Sequence, residues 1–163
     1  MAYEALNKTD EPSFGHWLKL GSTTTREKWS EEGSHNHPMF GGGLVYLYNY
    51  LAGMKPDPAE PGYKHIIFRP QPVDGLTTIS YYNNTPYGKA GISWKNTTAD
   101  FVMNVTVPIG SWATICVPAA HKNDVTAKSE MEGRVSPRFI EMKGDYAVYE
   151  IDSGDYIFKS VKQ

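Results

Sequence analysis

Hydrophobic positions recur along this chain with two different periods, and the change falls near residue 54. Before it the spacing is helical. "YEALNK" fits the end of a helix, and "DEPSFGHWLKLG" predicts a short one, with Asp10 or Ser13 as cap and Gly21 as stop. The strongest pattern is "PMFGGGLVYLYNYLAGM", where Leu44, Leu47, Tyr48 and Leu51 form a stripe at i, i+3, i+4, i+7. Pro38 suits its first turn and Gly53 its C-terminal stop. Val45, Tyr46 and Tyr50 cover most of the remaining surface, so this helix asks for burial on more than one side. Gly41, Gly42 and Gly43 each cost about 1 kcal/mol relative to alanine inside a helix. They imply either a close backbone approach or a late helix start.

After the Pro-rich stretch "KPDPAEPGY" the period becomes two. Strands are predicted at 64–70, 76–84, 89–96, 100–108, 112–118, 138–143, 146–151 and 155–161, separated by "TPYG", "PIG", "KGD" and "DSGD" turns. Eight short strands with no helices between them predict a mainly β fold, an antiparallel β-sandwich over residues 54–163. Residues 1–53 offer too few other helical segments to cover the apolar helix, although each large apolar side chain left in water forgoes about 1.5–3 kcal/mol. The expectation is that residues 1–53 are the end of a larger helical domain; packing of the helix on the sandwich or on a second copy is the alternative.

Composition excludes more than it selects. The chain has 163 residues and a net charge of −2, with no long basic run, which argues against a nucleic-acid partner. No apolar run is long enough to span a bilayer, so no membrane partner is expected. The N-terminus lacks the basic start and apolar centre of a signal peptide, which leaves the protein inside the cell or its true N-terminus missing, and localisation open. The one cysteine, Cys116, lies in the apolar "WATICVP" and reads as a buried thiol. "NNT", "NTT" and "NVT" match the glycosylation pattern at a frequency that chance explains in an Asn- and Thr-rich chain.

Candidate chemistry gathers in "GSTTTREKWSEEGSHNH", residues 21–37. Three threonines in a row disfavour helix. In an extended chain Thr23, Thr25 and Glu27 share one face, opposite Thr24, Arg26 and Lys28. Neighbouring cations favour an ionised Glu27, which can act as general base but not as acid; the alternative is an ordinary surface glutamate. Trp29 suits either a sugar-stacking platform or a core. His37, just before Pro38, suits either a ligand-facing donor or a plain cap. "HNH" lacks partners at metal-ligand spacing, so neither metal nor cofactor is expected. Tyr82, Tyr87 and Trp94 would be the sugar-facing aromatics if the sandwich itself binds carbohydrate.

The order "EPSFGHWLKLGSTTTREKW", "SHNHPMFGGGLVYLYNYLAGM", "PGYKHIIFRPQP" and "TPYGKAGISWK" resembles the C-terminal portion of bacterial α-L-rhamnosidases, glycoside hydrolase family 78. The resemblance implies the end of an (α/α)6 catalytic barrel over 1–53, followed by a C-terminal β-sandwich. It implies an inverting hydrolase acting on terminal α-L-rhamnose in a carbohydrate substrate, with Glu27 as general base and His37 and Trp29 at the sugar. The family's general acid lies far upstream, which implies that these 163 residues alone are inactive. The chain departs from the family pattern at Arg26, where tryptophan is usual, at Pro38-Met39 in place of Tyr-Ala, and in a shorter loop between Glu27 and His37. A non-catalytic carbohydrate-binding or structural module, or one that self-associates through its helical surface, is the alternative.

Overall fold

A computed structural model describes residues 2–30, 32–130 and 136–162. The chain divides into two compact units, Met1–Leu47 and Tyr48–Gln163, and the division falls inside the predicted apolar helix.

The first unit holds α1 (Ala2–Asn7) and α2 (Phe14–Lys19). Ser13, one of the two predicted caps, starts α2: its hydroxyl accepts from the His16 N–H at 3.0 Å. Gly21, at φ 76°, ends the segment as predicted. Trp17 is buried and stacks on Trp29 with ring centroids 4.5 Å apart, while Phe14 and Phe40 meet both rings. Four aromatics at these distances form a small core worth more than their buried area alone.

The apolar helix exists, but not as one regular element. Pro38–Gly42 is a 3-10 turn, α3 spans Gly43–Tyr46, and Leu47–Ala52 is a π-helix. The late start read from the glycine triplet is present: α-helical bonding begins only at Gly43. A Cβ on Gly41 or Gly42 would meet nothing within 4 Å. Gly43 does meet a neighbour, since a Cβ there would lie 3.1 Å from a Leu6 methyl carbon, and the tightest backbone approach is at Gly53, where a Cβ would lie 2.2 Å from the Pro70 nitrogen. Met39, Leu44 and Val45 are 65%, 49% and 51% exposed, whereas Leu51 and Ala52 are buried.

The second unit is mainly β. Among the described residues it has ten strands in two five-stranded sheets. One sheet runs β1 (Met54–Pro56), β2 (His65–Phe68), β6 (Trp112–Pro118), β9 (Tyr146–Ile151), β8 (Arg138–Met142). The other runs β3 (Thr78–Thr85), β4 (Gly88–Asn96), β5 (Asp100–Val107), β10 (Gly154–Val161), β7 (Val125–Ser129). All eight predicted strands are present. The two additional ones are β1, which starts at Met54 and runs into the stretch read as a linker, and the edge strand β7. Pairing is antiparallel except between β2 and β6, which run parallel with His65 opposite Trp112. Alternation fills the interior: Ala113, Ile115 and Val117 of β6 meet Phe101, Met103 and Phe158 from the other sheet. Cys116 lies on the outer side of β6 and is nevertheless buried.

The last turn of the π-helix belongs to this unit. The buried Trp94 indole donates to the Leu51 carbonyl at 2.9 Å, and Tyr48 stacks on Tyr81. Trp94 is 2% exposed, so it is a core residue and not a sugar-facing aromatic. Tyr82 and Tyr87 do face solvent.

Candidate functional site

The threonines of the 21–37 stretch explain its shape. The loop doubles back, and paired hydrogen bonds hold its two arms together. His37 N–H donates to the Thr25 carbonyl at 2.8 Å, and the Thr25 hydroxyl donates to the His37 carbonyl at 2.5 Å. Thr24 adds a hydroxyl bond to the His35 carbonyl. Two positions further in, the Glu27 N–H donates to the Ser34 carbonyl at 2.9 Å. Threonine hydroxyls bonding to backbone make up for the ladder that this short loop lacks.

Glu27 is fixed by the same device. Its Oε2 accepts from the Ser34 N–H at 3.0 Å. That bond is the largest cause of a carboxyl pKa below the ordinary glutamate value; desolvation opposes it, and the charges of His37 and Lys28 add to the lowering. Of the two flanking cations expected to act, Lys28 does so. Arg26 is buried and donates from Nε to the Ser22 hydroxyl at 2.8 Å. Gly33 makes room for the carboxylate: at φ 86° it takes a conformation suited to glycine, and a Cβ there would lie 2.9 Å from Glu27 Oε2.

The structure therefore brings Glu27 and His37 together on one clamped loop, where an exposed, ionised carboxylate is suited to accepting a proton. Trp29 lies next to them in sequence, but its ring joins the Phe14–Trp17–Phe40 cluster and its carbonyl accepts from the Trp17 indole at 3.1 Å. It remains half-exposed. An apolar groove of about 440 Å³ in the same unit is lined by Thr23, Thr24 and Thr25 together with Leu6, Trp17 and Leu44, and does not include Glu27. Sequence reasoning missed the roles of Ser34 and Gly33. The only signal was a glycine six residues after a glutamate that stands between two cations.

A second polar constellation lies in the β unit. Asp57 Oδ2 is 2.7 Å from His65 Nδ1, and His65 Nε2 is 2.9 Å from the Thr114 hydroxyl. With a neutral ring, Nδ1–H donates to Asp57 and the Thr114 hydroxyl donates to Nε2. Trp112 lies flat on the imidazole at 3.6 Å. The relay ties the segment after β1 to β2 and β6. Among the described residues no three His, Cys, Asp or Glu side chains gather as a metal site.

Comparison with known proteins follows this division. Residues 1–51 match the bacterial alpha-L-rhamnosidase 6 hairpin glycosidase domain, so the class to which this segment is similar is that of glycosidase domains. Residues 53–132 match the bacterial alpha-L-rhamnosidase C-terminal domain. The chain belongs to the bacterial α-L-rhamnosidase family, and what it contains is the C-terminal region. An α-L-rhamnosidase of Streptomyces avermitilis is 27% identical over 97% of this chain and 16% of its own length. One from Alteromonas sp. is 35% identical over 78% of this chain and 15% of its own. The crystal structure of the Streptomyces avermitilis enzyme complexed with L-rhamnose superposes with a TM-score of 0.85 at 26% identity, covering 96% of this chain and 16% of that one. The α-L-rhamnosidase from Dictyoglumus thermophilum gives 0.83 at 33% identity, over 98% and 18%. The chain thus spans about one sixth of the length of the relatives it matches.

Proposed function

We propose that this chain is the C-terminal portion of an inverting α-L-rhamnosidase that releases terminal α-L-rhamnose from glycosides or polysaccharides. Residues 1–53 form the end of the catalytic helical domain, residues 54–163 support it, and Glu27 is the general base. The carrying observation is the seat of Glu27: a carboxylate held ionised by the Ser34 N–H, with His37 clamped beside it. An inverting glycosidase needs such a group to activate water on the face opposite the departing oxygen, and a second, protonated carboxyl roughly 6.5–9.5 Å away to protonate that oxygen. By family resemblance that acid belongs to an upstream segment, so these 163 residues alone bind at most part of the sugar and do not turn over. His37 is placed to hydrogen-bond rhamnose beside the base. Trp29 contributes chiefly by fixing the loop through its cluster, with its open edge left for the sugar. The exposed side chains of Met39, Leu44 and Val45 agree with a helix face built to be covered, and they give the separate chain a route to self-association.

The test is to replace the matching C-terminal sixth of the Streptomyces avermitilis enzyme with this chain and assay p-nitrophenyl α-L-rhamnoside. The folded chimera is expected to release p-nitrophenol, and its Glu27→Gln variant to lose about two to four orders of magnitude in kcat, the range of general base catalysis. The 163-residue chain alone is expected to release none. A Glu27→Gln chimera as active as its parent removes Glu27 from the role, and turnover by the isolated chain removes the need for the upstream acid.

A further inference from the structure

The outer face of the β1–β2–β6–β9–β8 sheet carries a groove of about 300 Å³ that the proposed hydrolysis does not use. Its volume is at the small end of the range for small-molecule sites. Alternation builds it: Ala113, Ile115 and Val117 of β6 point into the core, which turns Thr114 and Cys116 outward to form its floor. Lys55 from β1, Arg69 just after β2 and Lys143 from the β8–β9 turn line its walls, with Glu141 as its one carboxylate among the described residues.

The chain as a whole is net negative, yet three cations converge here on one acid. Lys64, Lys89 and Lys122 lie over aromatic rings, whereas Lys28, Arg138 and Lys159 each pair with a carboxylate, at Glu32, Glu150 and Asp100. Among the described residues Lys55, Arg69 and Lys143 have no such partner; Lys55 lies over the Tyr50 ring and Arg69 over the Tyr146 ring. Their charges all reach Cys116, where they oppose the rise that burial imposes on the thiol pKa. Three cations this close repel one another, and an anion placed among them relieves that repulsion.

We propose that this groove is a binding site for a carboxylate-bearing saccharide, a uronate. The guanidinium fork of Arg69 suits a planar carboxylate, and Lys55 and Lys143 supply point charges around it. The Thr114 oxygen and the Glu141 carboxylate accept hydrogen bonds from neighbouring sugar hydroxyls. Glu141 also selects against a more highly charged anion: its repulsion grows with ligand charge, so a monoanion rich in hydroxyls fits better than a phosphate dianion.

The experiment titrates the 163-residue chain, ¹⁵N-labelled, with sodium D-glucuronate, with D-glucose, which differs in replacing the carboxylate by a hydroxymethyl group, and with inorganic phosphate. Glucuronate is expected to give saturable shifts at the amides of Met54, Lys55, Arg69 and Gln71 and at those of 114–116 and 141–146, weakening as salt is added. Glucose is expected to leave these amides still, and phosphate to bind more weakly than glucuronate. Arg69 and Lys143 are exposed, so Arg69→Gln and Lys143→Glu keep the fold while each weakens glucuronate binding about tenfold or more. Absence of a saturable response to glucuronate, or glucose shifting the same amides equally, overturns the site. So does retention of affinity in both variants. Phosphate binding as tightly as glucuronate overturns the saccharide assignment and leaves a simple anion site.

Discussion

Gly53 is the position where one methyl group should cost most for its size. It sits at φ 80°, where the helical segment ends, and its carbonyl accepts from the Arg69 N–H at 2.6 Å. A Cβ there would lie 2.2 Å from the Pro70 nitrogen and 2.4 Å from both the Arg69 carbonyl carbon and the Pro70 Cα. All three are backbone atoms, so no side chain can swing away. Gly62 is the internal control: its φ is also 80°, but a Cβ there meets nothing within 4 Å. For either residue, alanine in the left-handed region costs about 1–2 kcal/mol. Reduced freedom of the unfolded chain returns about 0.4–1 kcal/mol of that. Gly62→Ala should therefore lose roughly 1 kcal/mol. Gly53→Ala must in addition push the β1 entry away from the Arg69–Pro70 backbone, an overpacking cost of about 1–3 kcal/mol, for a total near 2–4 kcal/mol. Urea unfolding followed by tryptophan fluorescence should show both midpoints falling with the slope unchanged, Gly53→Ala the further. In thermal melts the difference should be several degrees, at about 2–8 °C per kcal/mol for domains of this size range. If the two variants lose the same stability within about 0.5 kcal/mol, the close approach at Gly53 carries no energy and the reasoning fails.

Gly33→Ala tests the seat of Glu27. Its Cβ would crowd Oε2, the movable end of a side chain, so the carboxylate should leave the Ser34 N–H rather than the loop unfold. In a carboxyl-carbon NMR titration the Glu27 midpoint should lie below the ordinary glutamate value in the wild type and move up in the variant; an unmoved midpoint would refute the seat. Trp94→Phe removes the indole N–H from the Leu51 carbonyl and should cost about 1–3 kcal/mol in the same urea assay, through an unpaired buried acceptor and lost volume. Asp57 predicts an acid-side loss of stability. Its carboxyl is held below the usual value, first by the Ala59 N–H and then by His65, against an opposing effect of desolvation. A depressed carboxylate stabilises the fold above its unfolded-state pKa, and that contribution goes as pH falls through the folded-state value. The stability gap between wild type and Asp57→Asn should therefore close as the solution is acidified past the ordinary aspartate range, and a gap independent of pH would refute the relay.

Much of the β unit was legible because alternation is a direct consequence of strand geometry, and a half-buried strand writes it into the sequence. Ile115 and Val117 inward with Thr114 and Cys116 outward could be read from "WATICVP" alone. The strands β1 and β7 were not. Met54–Pro56 contains a proline and too few residues for a period to appear, and "VTAKS" at the edge has neither face fully buried. The parallel pairing of β2 with β6 is a long-range choice between strands that look alike locally. Glu27 was visible as a carboxylate between cations, but the cause of its ionisation was not: a backbone N–H seven residues away has no side-chain signature.

The apolar helix shows how a correct pattern can still misplace its residues. A stripe at i, i+3, i+4, i+7 assumes one fixed hydrogen-bond step, and each residue advances the face by about 100°. This segment changes step twice, from 3-10 at Pro38–Gly42 to α at Gly43–Tyr46 to π at Leu47–Ala52. Each change slips the phase of everything after it. Leu44 and Tyr48, expected on the same face as Leu51, are 49% and 41% exposed, while Leu51 is fully buried against the sandwich and its carbonyl receives the Trp94 indole. The stripe is thus divided between two jobs. Its last turn belongs to the β core, while Leu44 and Val45 stay about half exposed. That division, with the two changes of step, is why no single period could have assigned its faces.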